Sequence, residues 1–241
     1  MRKPSRWLRW LLILGLVWAH LGLGFSLLSD RTPRNLTLAI SIEASGAYTL
    51  LLYLTRRIWL PWLARRPVAG AIALGIFNAA LVEALFLAVQ TALGAEGVAA
   101  HPNLFVDWLM TMPWYIGMVW IFVRVQRVEQ YASAAVLLWG AVYESGADGT
   151  VGGVIVPALM GSPVNLIEHN LFLFGLAFWQ FILVYSSLVL PPAWVLAGSE
   201  VEPAQRPAAR FLPGLKPLLW LLPFTVYLLV VLLVMALIGN R

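Results

Sequence analysis

Seven stretches of about twenty largely apolar residues dominate the chain, near 7–28, 36–54, 67–93, 104–123, 132–161, 166–190 and 215–238. A hydrocarbon core about 30 Å thick takes about 20 residues of helix to cross, whereas barrel strands are about half as long and alternate in polarity. In hydrocarbon the backbone finds no water partners, so runs of this length fold as helices that satisfy their own hydrogen bonds. The expected fold is therefore all-α, a polytopic integral membrane bundle of about seven transmembrane helices. Composition agrees, since 61% hydrophobic and 11% charged residues lie outside the make-up of a soluble domain. The first run follows Arg2, Lys3, Arg6 and Arg9, is long for a secretion signal and ends without a small-x-small site, so it is expected to remain as an anchor.

Basic residues set the expected orientation. With every run crossing once from a cytoplasmic N-terminus, thirteen of the sixteen fall on the cytoplasmic side, leaving Arg31, Arg34 and Arg241 outside. The positive-inside rule thus favours N-in and C-out. Were 132–161 to dip in and return, the split would weaken to eleven against five. Trp7, Trp10, Trp59, Trp62, Trp194 and Trp220 are expected at the cytoplasmic interface. The net charge of +5 is explained by anionic lipid headgroups on that side, with no need of nucleic acid. Thr55 to Arg66 alternates basic pairs with aromatics, as an interfacial segment does.

Three regions follow. Residues 1–190 form a six-span bundle, 191–214 a cytoplasmic linker carrying Pro191, Pro192, Pro203, Pro207 and Pro213, and 215–241 the last transmembrane helix. The expected location is a cytoplasmic membrane of prokaryotic type. Nothing in the sequence sets the oligomeric state.

The acidic residues carry the pattern that bears on function. Glu43, Glu83, Asp107, Glu144, Asp148 and Glu168 lie within the runs or at their edges, and none has Lys or Arg at similar depth. An ionised side chain at mid-membrane costs about 2.5 kcal/mol or more, so these groups must face a cavity, share protons or bind a cation. In the N-in arrangement all six favour the outer half, and with His169 they are expected to line an acidic cavity open to the outside and formed by spans two to six.

Within this set Glu144 and Asp148 are four apart, one turn from each other on a continuous helix. Gly146, Gly149, Gly152 and Gly153 surround Asp148, and Pro157 follows, so the fifth span is expected to be interrupted where it completes the site. Valine at Gly149 or Gly152 is then expected to do more harm than at Gly15. Asn165 and His169, Asp107 and Thr111, and Glu83 and Gln90 recur at helical spacings, while Asn78 faces elsewhere and is expected in an interhelical hydrogen bond. The histidines are His20, His101 and His169; they show no metal-ligand spacing, and no metal or cofactor is assigned.

Asp107-Trp-Leu-Met-Thr-Met-Pro113 resembles the D-W-L-x-T-x-P run in the third helix of microbial rhodopsins, a seven-span family of about this length. There the Asp is the counter-ion of the retinal Schiff base and the Pro shapes the pocket. The resemblance covers seven residues. That family also carries a lysine in the middle of its last span, whereas this chain has only Lys3 and Lys216, so the resemblance does not extend to retinal attachment.

Three functional classes fit. The first is proton- or cation-linked transport of a small solute through the carboxylate-lined cavity. The second is an intramembrane enzyme acting on a lipid or isoprenoid, with a carboxylate and His169 as the acid–base pair and Trp108, Trp114, Tyr115, Trp120, Trp139, Tyr143 and Trp179 lining an apolar pocket. The third is a structural subunit of a membrane complex, whose acids would pair with basic residues of a partner. No catalytic residue is singled out.

Overall fold

The structure, a computed structural model, describes residues 5–197 and 211–239, and among these every regular element is a helix. Six stretches are long and apolar enough to cross a membrane: Arg6–Ser29, Pro33–Leu63, Pro67–Leu93, Leu104–Glu129, Leu166–Ala197 and Leu212–Ile238. The protein is a polytopic helical membrane protein. Arg2, Lys3, Pro203, Arg206, Pro207, Arg210 and Arg241 lie outside the described residues.

Local chemistry explains where the helices begin. Helix α1 (Arg6–Ser29) starts at Ser5, whose hydroxyl accepts the Leu8 amide, and α2 (Pro33–Leu63) at Thr32, whose hydroxyl accepts that of Asn35. Proline opens both α2 and α3 (Pro67–Leu93), where a missing N–H costs nothing. Helix α3 ends on Gly94 at φ 62°, and α4 (Leu104–Glu129) starts at Asn103, whose side chain accepts two amides. Helix α2 is one rod of 31 residues that passes through Pro61, so the basic and aromatic stretch expected to lie along the interface is its last turns instead.

The expected fifth span is continuous in a different register. Helix α5 (Ser133–Glu144) passes into the π-helical Ser145–Ile155, and α6 (Val156–Leu159) adds a final turn. The interruption is therefore a change of hydrogen-bond partner from i−4 to i−5, not a break in the backbone. Glycine fits such a widened turn because no side chains crowd it. This stretch is not among the six apolar spans, its mean hydropathy being lowered by Glu144, Asp148 and their polar neighbours.

A similar register change follows. Helix α7 (Leu166–Phe172) becomes π-helical at Leu173–Ala177 and continues as α8 (Phe178–Ala197). Because α8 carries Pro191 and Pro192 within it, both buried, helix continues through the first residues of the expected linker, to Ala197. Burial on all sides outweighs the lost backbone donors there. The chain resumes as a 3₁₀ helix, Leu212–Trp220, and ends in α9 (Leu221–Gly239).

Helix α8 is the hub, packing against α2, α3, α4 and α5, while α1 and α9 stay peripheral. Polar contacts hold the hub. Asn78 accepts from the Tyr48 hydroxyl (2.8 Å) and donates to the Ser187 carbonyl (2.6 Å), tying α2, α3 and α8 as an interhelical hydrogen bond should. Thr49 and Ser186 meet at 2.6 Å. Replacing Asn78 by Leu orphans the Tyr48 hydroxyl and is expected to cost about 1–2 kcal/mol, read as a lower midpoint in thermal unfolding of the purified protein.

Trp220 corrects another expectation. Its indole lies against α4, where Nε1 donates to the Pro113 carbonyl (2.8 Å), and it is not an interfacial anchor. Gly15 is no neutral site either, since a Cβ there would fall 1.9 Å from the Trp179 ring. At Gly152 the nearest atom to such a Cβ is 3.8 Å away, whereas at Gly149 it would meet Leu173 at 2.6 Å. Room for a side chain therefore does not follow membership of the glycine-rich stretch, because close approach of a neighbouring helix sets it.

Candidate functional site

Antiparallel packing of α3 on α4 and of α5 on α8 brings four of the expected site residues to one end of the bundle. Glu83 stands in the second half of α3 and Asp107 in the first turn of α4, where the two carboxyls lie near each other. Glu144, the last residue of α5, and Asp148, one turn further in the π-helical segment, interact with each other and lie near the first pair.

Two tyrosines join the group. The Tyr115 hydroxyl of α4 donates to Glu83 Oε1, and Tyr185 of α8 lies near Glu144. The two rings lie 5.8 Å apart, and Trp114 Nε1 donates to the Tyr185 oxygen at 2.8 Å. Among the described residues no Lys or Arg forms an ion pair with any of the four acids. Asp107 Oδ2 and Glu144 Oε2 are buried without a hydrogen-bond partner.

The connection between α3 and α4 covers the Asp107 side. Gln90 Oε1 accepts the Val98 and Ala99 amides, and the His101 amide donates to Asp107 Oδ1 at 3.2 Å. Asp148, by contrast, lies exposed on the surface of the bundle while Glu144 is buried.

The other expected residues lie elsewhere. Glu43 Oε2 pairs with His20 Nε2 at 3.3 Å between α1 and α2, half-exposed. Glu168 is exposed in the first turn of α7, which Asn165 caps by accepting the Ile167 and Glu168 amides. His169 Nε2 lies 2.7 Å from the Gly149 carbonyl, and because a carbonyl only accepts, that nitrogen carries the proton. The ring braces the π-helical segment from outside, against Gly153. Thr111 spends its hydroxyl on the Asp107 carbonyl within α4.

The aromatic residues expected to line one pocket are dispersed. Trp114 and Tyr115 belong to the acidic group, Trp139 and Tyr143 stack on each other and meet Gly214, and Trp120 lies under Arg124. Tyr185 as a partner of the acids carries no sequence signal of its own. Tyr115 has a weak one, lying eight residues, or about two turns, from Asp107.

A separate cavity of about 1050 Å³ opens between the second half of α1, the start of α2 and the π-helical Leu173–Ala177. Trp18, Leu21, Phe25, Leu28 and Leu176 make it apolar, and His20, Ser29, Asp30 and Asn35 add polar groups. None of the four clustered acids lines it. Among the described residues no three His, Cys, Asp or Glu side chains converge closely enough to hold a metal ion. No known protein family, curated protein or solved structure matches the chain.

Proposed function

We propose that the protein is a membrane transporter in which Glu83, Asp107, Glu144 and Asp148 form a proton- or cation-binding centre coupled to movement of a small solute. One observation carries this reading: four carboxyls from three helical stretches lie near two tyrosine hydroxyls without a basic partner among the described residues, and two of their oxygens are buried and unpaired. Neighbouring carboxylates in a low-dielectric interior repel strongly. Such a group is stable only when it shares protons or takes up a cation.

The basic-residue split supports an N-in, C-out arrangement, which puts this centre in the outer half of the membrane and Arg56, Arg57, Arg65 and Arg66 against anionic headgroups of a prokaryotic cytoplasmic membrane. A reporter active only outside and fused after Arg241 is expected to give signal. A silent fusion there, beside an active one at Ala197, would reverse the orientation.

The centre is tested by infrared titration of the protein in lipid nanodiscs between pH 5 and 9, with and without Na⁺ or K⁺. The expected result is a protonated-carboxyl band that titrates or is displaced by the cation. Spectra without such a band under any of these conditions would remove the proposal.

A second reading has its own support. His20, half-exposed and paired with Glu43, lines the 1050 Å³ apolar cavity, an arrangement suited to acid–base chemistry on a lipid or isoprenoid chain held there. Under this reading, replacing His20 by Ala removes activity on such a substrate while Glu144→Gln does not, the reverse of what the transporter reading expects.

A further inference from the structure

We propose that the cavity between α1 and the π-helical Leu173–Ala177 binds one aminophospholipid, its acyl chains along α1, its ammonium at Asp30 and Asn35 and its phosphate at Arg31 and Arg34. The proposal goes beyond both readings of function, since it needs neither transport at the four acids nor chemistry at His20.

The cavity has the proportions of an amphiphile. It runs along α1 from Trp18 to the end of that helix at Ser29 and Asp30. From 18 to 30 a helix rises about 18 Å, close to one leaflet of a hydrocarbon core about 30 Å thick. Gly24 and Gly175 keep the space open, with nothing within 4 Å of a Cβ at either. Leu21, Phe25 and Leu28 are exposed along it, and acyl chains lying there cover them.

The polar groups sort along that length. At the deep end Trp18 Nε1 donates to the Gly175 carbonyl (2.6 Å), and the His20 nitrogens meet the Leu16 carbonyl (2.7 Å) and Glu43 (3.3 Å). Neither ring has a nitrogen left for a ligand, so hydrocarbon suits that end. At the other end Ser29 donates to the Phe25 carbonyl and the Asn35 amide group to the Asp30 carbonyl. Asn35 Oδ1 and the exposed Asp30 carboxylate are left as acceptors, and Asp30 forms no ion pair among the described residues. An ammonium supplies both the N–H donors and the positive charge that these oxygens call for.

The opposite charge stands on the same turn. Arg31 follows Asp30 and Arg34 precedes Asn35; both are exposed and neither forms an ion pair among the described residues. They are two of the three basic residues that the positive-inside count leaves outside, so topology does not account for them. Guanidinium groups recognise phosphate in a forked geometry. A head with phosphate and ammonium matches this turn, whereas phosphate alone leaves Asp30 unmatched and a choline nitrogen has no N–H to give.

The test is native mass spectrometry of the full chain, equilibrated in detergent with dioleoyl phosphatidylethanolamine, phosphatidylglycerol and phosphatidylcholine at equal concentrations. One phosphatidylethanolamine per chain is expected to be retained, about tenfold over either of the others. Asp30→Asn should remove the preference over phosphatidylglycerol, and Arg31→Gln with Arg34→Gln should lower retention of both lipids. Arg57→Gln, exposed near the other end of α2, should change neither. Gly24→Trp, which puts a ring into the open space, should abolish retention at an unchanged thermal midpoint. Equal retention of the three lipids by the wild type, or phosphatidylglycerol retained above phosphatidylethanolamine, would overturn the proposal. So would an unchanged preference in Asp30→Asn, or full retention by folded Gly24→Trp. If Gly24→Trp fails to fold, Asp30→Asn, at an exposed position, decides alone.

Discussion

Glu144→Gln is expected to leave the bundle folded and to lower proton- or cation-driven solute uptake by about a hundredfold or more. The side chain is 3% exposed and sits near Asp148 and Tyr185, so an amide of the same shape fills the space. What it cannot do is gain and lose a proton, or carry the charge that holds a cation. Structure and activity should therefore separate. Uptake into vesicles under an imposed gradient measures the second, and elution profile with thermal midpoint measures the first. Wild-type uptake would reduce Glu144 to a packing group, and a collapsed protein would mean that the carboxyl holds the helices together by hydrogen bonds the amide cannot make. Glu168→Gln serves as the comparison, because that acid is exposed and away from the centre, and its uptake should be unchanged.

Gly117→Val is expected to cost about 3 kcal/mol of stability. A Cβ at Gly117 would fall 2.0 Å from Trp220 Nε1 and 2.1 Å from its Cε2, inside the rigid indole and not at the end of a flexible chain. The ring must leave, and with it goes the hydrogen bond to the Pro113 carbonyl that seats Leu212–Trp220 on α4. Since α9 makes few other contacts, it should loosen along with that segment. Thermal unfolding in detergent, with Trp fluorescence reporting the indole's surroundings, reads both effects. Gly24→Val is the control, a site where nothing lies within 4 Å of the added carbon, and it should match the wild type.

Much of the architecture is legible along the chain because partition into hydrocarbon is a property of each window of about twenty residues. The six apolar helices coincide with six of the seven runs, and Pro67, Gly94 and Asn103 mark helix ends by local chemistry alone. Prolines mislead where packing overrides them. Pro61 and the Pro191–Pro192 pair lie inside helices whose ends the sequence places earlier. The remaining run, 132–161, folds as helix but changes register at Ser145, since the same glycines that suit a break also suit a widened turn.

The acids divide along the same line. That Glu43, Glu83, Asp107, Glu144, Asp148 and Glu168 sit in or beside apolar helices without basic neighbours is written in the sequence, because the cost of a charge depends on depth and depth follows from position in the run. Which of them meet is a matter of rotation about each helix axis, and that is set by close packing at sites such as Gly140 on Tyr185 and Gly149 on Leu173. Only that packing gathers Glu83, Asp107, Glu144 and Asp148, sends Glu43 to His20, leaves Glu168 exposed, and turns Tyr115 and Tyr185 from apolar bulk into partners of the acids.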